Sequence, residues 1–458
     1  MVLSKKARQI VLSFCVLFLV LTSFNVRAQT ENENADTETK NEDITLIQNV
    51  NVWDGRSNNL QNNYSVLIEG NKIQQVGSSI NAPDNATIID GNGNTLIPGL
   101  SDAHLHLMFN MGMSDIYNDA HWAYVAARAT KSAENFLMQG FTTIRDMGGP
   151  VFGIKRAIDE GIIPGPRVYP SGGLISQTSG HGDLRNPNDT NYEWTGDIAS
   201  IFQLNGWSYL VDGEAEVLTA VRENLRHGSS QIKMMAGGGV STDYDPLHTV
   251  QFTKEELEAG VQAASDWGTY VAVHVYNPEA IIRALEAGVK SIEHGQLMND
   301  EAARMIKETG AYLTPQSFWI KIDPQISPNP DKYRQTQEGI EKEMELIKKY
   351  GIEIAFGTDT FGDLGIEPLA MKEFTTRTNW YTPVEVLKQA TSINAGLFAL
   401  SGKLNPYPDG KLGVIEEGAY ADLLIYDGNP LEDIQVVVDF ENRLKLIMKD
   451  GKIYKNQL

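Results

Sequence analysis

The stretch Pro98-Gly-Leu-Ser-Asp102-Ala-His104-Leu-His106 follows a short apolar run and places two histidines one residue apart. In an extended segment, side chains two positions apart point to the same side, so His104 and His106 can bind one ion together. Imidazole nitrogens suit Zn2+ or a similar divalent ion, and a site that keeps an open coordination position permits catalysis. Hydrogen-bonded core histidines would give the same local pattern. The rest of the sequence is therefore needed to distinguish a metal site from ordinary core histidines.

From residue 95 onward the chain alternates strand-like and helix-like segments. We predict eight strands, at Thr95–Leu100, Thr142–Arg145, Arg167–Ser171, Gln231–Met235, Tyr270–Val275, Ser291–Glu293, Tyr312–Thr314 and Glu353–Phe356. Eight strand–helix units over about 300 residues match the arithmetic of an α/β fold of the (β/α)8 TIM-barrel type. An open doubly wound sheet would show the same local alternation.

Further side chains able to bind a metal fall at the ends of these predicted strands. His274 follows the fifth strand, His294 the sixth and Asp359 the eighth. In a barrel the C-terminal strand ends converge on one mouth, where active sites form. Four histidines and an aspartate at corresponding strand ends therefore favour the barrel and predict a metal site at its mouth.

Lys233 lies in the fourth predicted strand, among apolar neighbours. A solvated or salt-bridged lysine is the ordinary explanation for such a residue. A buried lysine with a lowered pKa is instead a good nucleophile. Its reaction with CO2 would give a carbamate, an anion able to bridge two cations.

Short alternating strands occur at both ends of the globular part of the chain. Strands between residues 44 and 94 are separated by Asp-Gly and Glu-Gly turns. Short strands of the same kind are predicted again after residue 421, and Val436–Val438 is one of them. We predict a small antiparallel β unit, a discontinuous β-sandwich built from residues 44–94 and 405–458. It flanks a barrel domain at residues 95–404.

The N-terminal 28 residues carry four basic and no acidic side chains around an apolar run from Ile10 to Leu21. This order is typical of a secretory signal peptide (1–28), and the run is shorter than the ~20 residues of a spanning helix. An uncleaved membrane anchor is the alternative. Residues 29–43 read as an acidic linker. The expected location is secreted or periplasmic, with no stable membrane association after cleavage.

Charge and cysteine content exclude several classes of protein. The chain has 59 acidic and 38 basic residues and a formal net charge of −21, which repels phosphate backbones and argues against nucleic acid as a partner. Its single cysteine, Cys15, lies within the predicted signal peptide. An intramolecular disulfide framework and cysteine-ligated zinc or iron–sulfur sites are therefore excluded.

Several motifs together resemble the amidohydrolase superfamily over about residues 44–455. The stretch from Pro98 to His106 is similar to its opening metal motif, and Gly413-Val-Ile-Glu-Glu-Gly418-Ala-Tyr-Ala421-Asp422 to its return into the β domain. Gly180-His-Gly-Asp183, Lys233 and His274-Val-Tyr276 resemble the prolidase-like, imidazolonepropionase-related branch, which includes Xaa-Pro dipeptidases and ochratoxinase-like amidases.

The resemblance implies a centre of two divalent metal ions, with Zn2+ as the default and Mn2+ or Co2+ as alternatives. His104, His106 and Asp359 would hold one ion, and His274 and His294 the other. Lys233, as N6-carboxylysine, would bridge them beside a hydroxide shared by the two ions.

The same resemblance implies roles in catalysis. Asp359 would accept the proton of the nucleophile and deliver it to the leaving amine. Tyr276 and His181 match positions that contact the substrate carbonyl, the oxyanion or a terminal carboxylate. Packing of a strand-end aromatic for Tyr276, and an ordinary loop position for His181, are the alternatives.

Two further segments invite interpretation. The aromatic-rich residues 184–212 would either cap an apolar substrate side chain or serve helix packing. Gly237-Gly-Gly239 lacks a phosphate-loop pattern and is interpreted as room for the substrate backbone.

We therefore expect a secreted metal-dependent amidohydrolase that cleaves a dipeptide or N-acyl amino acid, with an apolar or proline-like C-terminal residue. The expected partners are a small-molecule or dipeptide substrate and further copies of the chain in a homo-oligomer. A hydrolase of a lactone or cyclic amide is the alternative enzyme. A non-catalytic metal-binding module is the alternative from a different class.

Overall fold

The computed structural model describes residues 43–186, 188–196, 200–327, 329–365 and 367–458. The predicted signal peptide and residues 29–42 of the predicted linker lie outside this part. Among the described helices, none combines the length and the apolar character needed to cross a membrane. Residues 44–458 form one compact unit, and the domain boundaries predicted within it stay a prediction.

The described strands, in chain order, are β1 (Ile44–Val52), β2 (Gln61–Glu69), β3 (Lys72–Gly77), β4 (Thr87–Asp90), β5 (Thr95–Pro98), β6 (Leu100–His106), β7 (Phe141–Asp146), β8 (Arg167–Pro170), β9 (Leu174–Ser176), β10 (Ser208–Leu210), β11 (Ile232–Met235), β12 (Val271–Val275), β13 (Ser291–His294), β14 (Tyr312–Thr314), β15 (Thr360–Phe361), β16 (Leu423–Tyr426), β17 (Leu444–Lys449) and β18 (Lys452–Asn456).

The described α-helices are α1 (Met113–Asn118), α2 (Trp122–Met138), α3 (Phe152–Asp159), α4 (Tyr192–Thr195), α5 (Ile201–Leu204), α6 (Glu214–His227), α7 (Lys254–Asp266), α8 (Pro278–Glu286), α9 (Asp300–Thr309), α10 (Pro330–Tyr350), α11 (Ala370–Arg377), α12 (Pro383–Lys388), α13 (Asn394–Ala399), α14 (Gln435–Val438) and α15 (Phe440–Arg443).

Strands from both ends of the described chain form one continuous sheet in the order β18-β17-β16-β5-β1-β2-β3, with β4 paired to β1. The discontinuous β unit is thus confirmed. The expectation that it is antiparallel throughout was wrong, because β1 pairs in parallel with both β4 and β5.

The predicted strand at Val436–Val438 was also wrong, because these residues form the helical turn α14. The Asp433 carboxylate accepts the backbone N–H of Gln435 at 2.9 Å, and the Ile434 carbonyl accepts that of Val437 at 3.0 Å. These contacts start a turn that overrides the β preference of the valines.

The two faces of this sheet bury different cores, as successive residues of β16 show. Leu423 and Ile425 join a cluster contributed by the sheet itself. Leu424 and Tyr426 join the cluster that lies over the barrel. Because successive side chains of a strand point to opposite faces, one face of the sheet packs on the barrel while the other packs on the sheet's own cluster.

Eight parallel segments close into the barrel that the sequence predicts. Ladders join β6, β7 and β8 on one side and β11 to β14 on the other. Hydrogen bonds from Ser230 N to Pro170 O (2.9 Å) and from Ala355 N to Leu313 O (2.9 Å) span two of the junctions. A third bond, from Ala103 N to Phe356 O (2.8 Å), completes the ring.

The eighth predicted strand is less regular than expected. Of Glu353–Phe356, only Ile354 forms a β-bridge, to Leu313. From the sequence we predict helices at Ala120–Gln139, Glu214–Arg226, Lys254–Trp267, Pro278–Ala287, Asp300–Glu308 and Lys332–Tyr350. The structure has a helix at each of these places, with shifts of up to two residues at the ends, and local signals set their starts. Thr253 forms a capping box with Glu256 at α7, and Asn277 caps α8 just before Pro278.

Candidate metal centre

His104, His106 and Asp359 come together at the C-terminal mouth of the barrel. Each offers one ligand atom, and these three atoms all lie within 4.8 Å of one another. Asp359 Oδ1 is 3.4 Å from His104 Nε2 and 3.3 Å from His106 Nε2. Two imidazole nitrogens and a carboxylate oxygen, converging in a mostly buried site, fit a divalent cation.

The backbone at the strand ends places these groups. The two histidines lie inside β6, not beyond it, and both side chains face the barrel interior. The Asp359 backbone adopts a left-handed φ of 55°, and its N–H donates to the His104 carbonyl at 2.6 Å. A non-glycine residue in this region stores strain of about 1–3 kcal/mol, a cost commonly found at functional sites.

His274 and His294 form a second group of imidazoles beside the first. The ring centroids of His294 and His104 are 5.0 Å apart, and those of His274 and His294 are 4.4 Å apart. His294 Nδ1 lies 2.8 Å from Gln316 Oε1. The structure therefore brings together all four histidines predicted as ligands.

Lys233 lies on the same interior face of the barrel. Its strand neighbours Ile232 and Met234 pack in the outer cluster beneath the helices, so the lysine side chain points inward. It is 1% exposed, and burial lowers its pKa to about 8 despite the nearby carboxylates of Glu293 and Asp359. The lowered pKa leaves a larger fraction of neutral amine near neutral pH than an exposed lysine would have.

The electrostatics keep the cluster in the form that binds a cation. Burial and the Lys233 ammonium lower the pKa of His104 to about 3 and that of His294 to about 4. Burial alone would raise the pKa of Asp359, but the neighbouring imidazoles hold it below its ordinary range. Neutral imidazoles and an ionised carboxylate are the protonation states that metal ligation requires.

Tyr276 and His181 line the His274 side of the centre. The Tyr276 ring stacks on His294 at 5.1 Å between centroids, and the His181 ring stacks on His274 at 4.0 Å with 12° between planes. His181 Nδ1 is 2.8 Å from Asp245 Oδ2, so this carboxylate orients the ring. His181 was predicted from the sequence, whereas its partner Asp245 was not.

The glycine run has a different use from the one expected. A Cβ at Gly239 would meet His181 Cε1 at 1.9 Å, and one at Gly238 would meet the Pro246 carbonyl oxygen at 2.1 Å. These glycines make room for the chain's own atoms, including the His181 ring. Lys332 of α10 donates to the carbonyls of Gly239 and Thr242 and so ties this loop in place.

Two charged residues that support the centre were missed by the sequence argument. Glu293 Oε2 lies 2.8 Å from His104 Nδ1, and Glu293 Oε1 accepts a hydrogen bond from Arg145 Nη2 at 2.8 Å. Both side chains are 0% exposed. The sequence offers only a charged side chain within each strand, Arg145 in β7 and Glu293 in β13.

The aromatic segment at residues 184–212 reaches the centre indirectly. Trp207 packs on Phe109 at 4.9 Å between centroids, and Phe109 packs on His106 at 5.3 Å. Trp194 is 79% exposed. Through Trp207 the segment therefore packs against the aromatic side chain next to His106. For Trp207, this favours the packing role over the capping of a substrate.

The fold and the cluster define a barrel protein with a buried His-His-Asp group at its mouth that could hold a cation. The chain belongs to the amidohydrolase family, which it matches over residues 95–454. This confirms the resemblance and the fold class predicted from the sequence.

Individual relatives place it more narrowly within that superfamily. The chain is 31% identical over 424 residues to the ochratoxinase of Aspergillus niger, covering 86% of this chain and 83% of that protein. Among solved structures it is similar to a prolidase complexed with N-methylphosphonate-L-proline (33% identity, TM-score 0.82, covering 90% of this chain and 100% of that one). It is also similar to a Xaa-Pro dipeptidase with bound methionine (31% identity, TM-score 0.79, covering 90% and 100%).

Proposed function

We propose that the protein is a metal-dependent amidohydrolase that cleaves the amide bond of a dipeptide or N-acyl amino acid. The observation that carries the proposal is the buried group of His104, His106 and Asp359 beside His274 and His294. The likeness to a prolidase, a Xaa-Pro dipeptidase and an ochratoxinase supports an amide substrate with an apolar or proline-like C-terminal residue.

His104, His106 and Asp359 would hold one divalent ion, and His274 and His294 a second. Lys233 would join the two sites as N6-carboxylysine, and its lowered pKa favours the neutral amine that reacts with CO2. When bound, such ions lower the pKa of water and polarise a carbonyl. Zn2+ is the ion that this set of ligands suits best.

Side chains of the protein transfer the proton and donate hydrogen bonds to the substrate. Asp359, ionised in this setting, takes the proton from the attacking water and passes it to the leaving nitrogen. Tyr276 Oη and His181 Nε2 donate to the oxyanion or to the carboxylate of the substrate. The Asp245 carboxylate accepts from His181 Nδ1, so the ring donates from Nε2 as an imidazolium whose charge this carboxylate balances.

Export and assembly are further parts of the proposal. The charge and apolar pattern of residues 1–28 supports a secreted or periplasmic enzyme, and N-terminal sequencing of the mature protein tests cleavage. We also propose that the chains form a homo-oligomer. Light scattering of the purified protein measures its mass.

An assay of the purified protein against dipeptides and N-acyl amino acids tests the activity itself. Release of free amine from at least one amide is the expected result. Turnover of lactones or cyclic amides alone would replace the proposed substrate class. Stoichiometric metal without any turnover would point to a binding module.

A further inference from the structure

Two phenylalanines form a wall on the side of the centre opposite His181. Phe361 of β15 pairs in register with His106 of β6, and their ring centroids are 5.8 Å apart. Phe109 lies against the same imidazole at 5.3 Å and is 6.2 Å from Phe361. His106, a proposed metal ligand, therefore has two aromatic neighbours at the mouth of the barrel. Phe109 lies in the loop after β6, and Phe361 lies in β15.

The two rings differ in exposure. Phe109 is 7% exposed, whereas Phe361 is 40% exposed although it lies two residues after Asp359. A large apolar face left open beside a buried polar cluster gains free energy when another apolar group covers it. The position of Phe361 places that covering group next to the centre.

The surrounding side chains hold this wall in place. Trp207 packs on the buried side of Phe109 and is itself 1% exposed. Arg128 donates to the Asn110 carbonyl at 2.7 Å and to Asp363 Oδ1 at 2.7 Å. It thereby links the loop after β6, which carries Phe109, to the loop after β15, the strand that carries Phe361.

The other side of the centre is polar. His181 and Tyr276 lie there, and both can donate a hydrogen bond to a carboxylate. In an N-acyl amino acid the carboxylate belongs to the leaving amine. A substrate that directs its carboxylate to His181 and Tyr276 must direct its acyl part towards Phe361.

We propose that Phe109 and Phe361 form the subsite for the acyl part of the substrate and select amides whose acyl residue is large and apolar. The inference rests on the proposed function and specifies the acyl half of the substrate. It makes Phe361 a specificity-determining residue, since its open face would contact the acyl side chain directly.

The test uses Xaa-Yaa dipeptides in which Yaa is the C-terminal residue that the wild type cleaves best and Xaa is Gly, Ala, Leu or Phe. The readout is the ratio of kcat/KM for Phe to that for Gly at Xaa. We expect a ratio well above one for the wild type and a fall of about 10- to 100-fold in Phe361→Ala, the range for a lost apolar subsite. Phe361→Leu retains most of the ratio because it keeps an apolar side chain.

Trp267→Ala is the matched control. Trp267 is 46% exposed, similar to Phe361, but follows α7 at the opposite end of the barrel. It should leave the ratio unchanged, and metal content measured for every variant separates selectivity from loss of the centre.

Four results count against the inference in different ways. An unchanged ratio in Phe361→Ala, or a wild type that prefers glycine, overturns the acyl subsite while amide hydrolysis stands. A changed preference for Yaa instead of Xaa would assign Phe361 to the leaving-group side and also overturns it. Failure of the wild type on every amide would remove the proposed function itself.

Discussion

Glu293 joins Arg145 to His104: one carboxylate oxygen accepts from Arg145 Nη2 and the other lies 2.8 Å from His104 Nδ1, with all three side chains buried. Burial alone would raise the pKa of Glu293, but Arg145 and His104 hold it well below its ordinary value. The carboxylate accepts the Nδ1 proton, which leaves His104 Nε2 as the ligand atom facing Asp359. The ligand is thus oriented before any ion binds.

Glu293→Gln should weaken metal binding by about 10- to 100-fold, the range observed when a partner of a ligating histidine is lost. The amide keeps the shape but no longer carries the charge that balances Arg145 and favours the Nδ1–H tautomer. Competition with a chromogenic chelator measures the affinity. Glu353→Gln, a change at an exposed residue beside the barrel, is the control. Equal affinities for the wild type and Glu293→Gln would contradict this role.

Lys233→Ala should reduce the bound metal to one ion or fewer per chain, because the bridging anion is lost. A short carboxylic acid can occupy the vacated space and should restore part of the second ion. Elemental analysis with and without the acid measures this. Lys290→Ala removes an exposed lysine and should keep the wild-type metal content. Two tightly bound ions in Lys233→Ala would count against a carbamate bridge.

Gly239→Ala should lower kcat/KM by about 100-fold, similar to the loss of one donor to a developing oxyanion. Its new Cβ would lie 1.9 Å from His181 Cε1, so the ring must leave its stack on His274. Steady-state kinetics measures the loss. Gly153→Ala in α3, where a Cβ meets nothing within 4 Å, should behave as wild type. Wild-type kinetics in Gly239→Ala would show that His181 is dispensable.

Glu343 gives a prediction about stability and pH. Both carboxyl oxygens are buried without a hydrogen-bond partner among the described residues, and burial raises the pKa of Glu343 well above its ordinary value of 4.5. The folded protein therefore favours the protonated acid. Its contribution to stability is complete below pH 4.5 and is lost as pH rises towards the folded-state pKa.

The difference in unfolding free energy between Glu343→Gln and the wild type should accordingly shift in favour of the glutamine variant as pH rises. Linkage sets the slope at up to about 1.4 kcal/mol per pH unit in that window. Urea titrations across the pH series measure it. Glu345→Gln, at an exposed position of the same helix, should give a flat difference. A flat difference for Glu343→Gln as well would mean that the carboxyl is ionised in the fold.

The proposed ligand residues could be predicted from the sequence because each follows from a local pattern. His104 and His106 obey the two-residue period of a strand, and His274 lies where an apolar run ends. Glu293 was not accessible, since its contact with His104 spans 189 positions along the chain. Strand alternation would also send Glu293 and His294 to opposite faces, and only the left-handed φ of 75° at His294 lets both reach the centre.

Tertiary packing decides the other features that local pattern missed. The contact between Phe109 and Trp207 joins two distant loops, so the aromatic content of residues 184–212 alone could not separate capping from packing. The Gly239 position was misinterpreted because the neighbour that fills its space, His181, comes from another loop. At Val436–Val438 a local turn, in which the Asp433 carboxylate accepts the Gln435 N–H, outweighed β propensity.

We propose that this chain hydrolyses amides through ions held by His104, His106 and their neighbours. The most direct test of this proposal measures amine release from the best dipeptide in the panel by the purified protein, after chelator treatment and again after a divalent ion is restored. We expect loss of activity with the metal and recovery on adding Zn2+, Mn2+ or Co2+ to about two ions per chain. Full activity in the metal-free protein, or no amide hydrolysis by the fully loaded one, would contradict it.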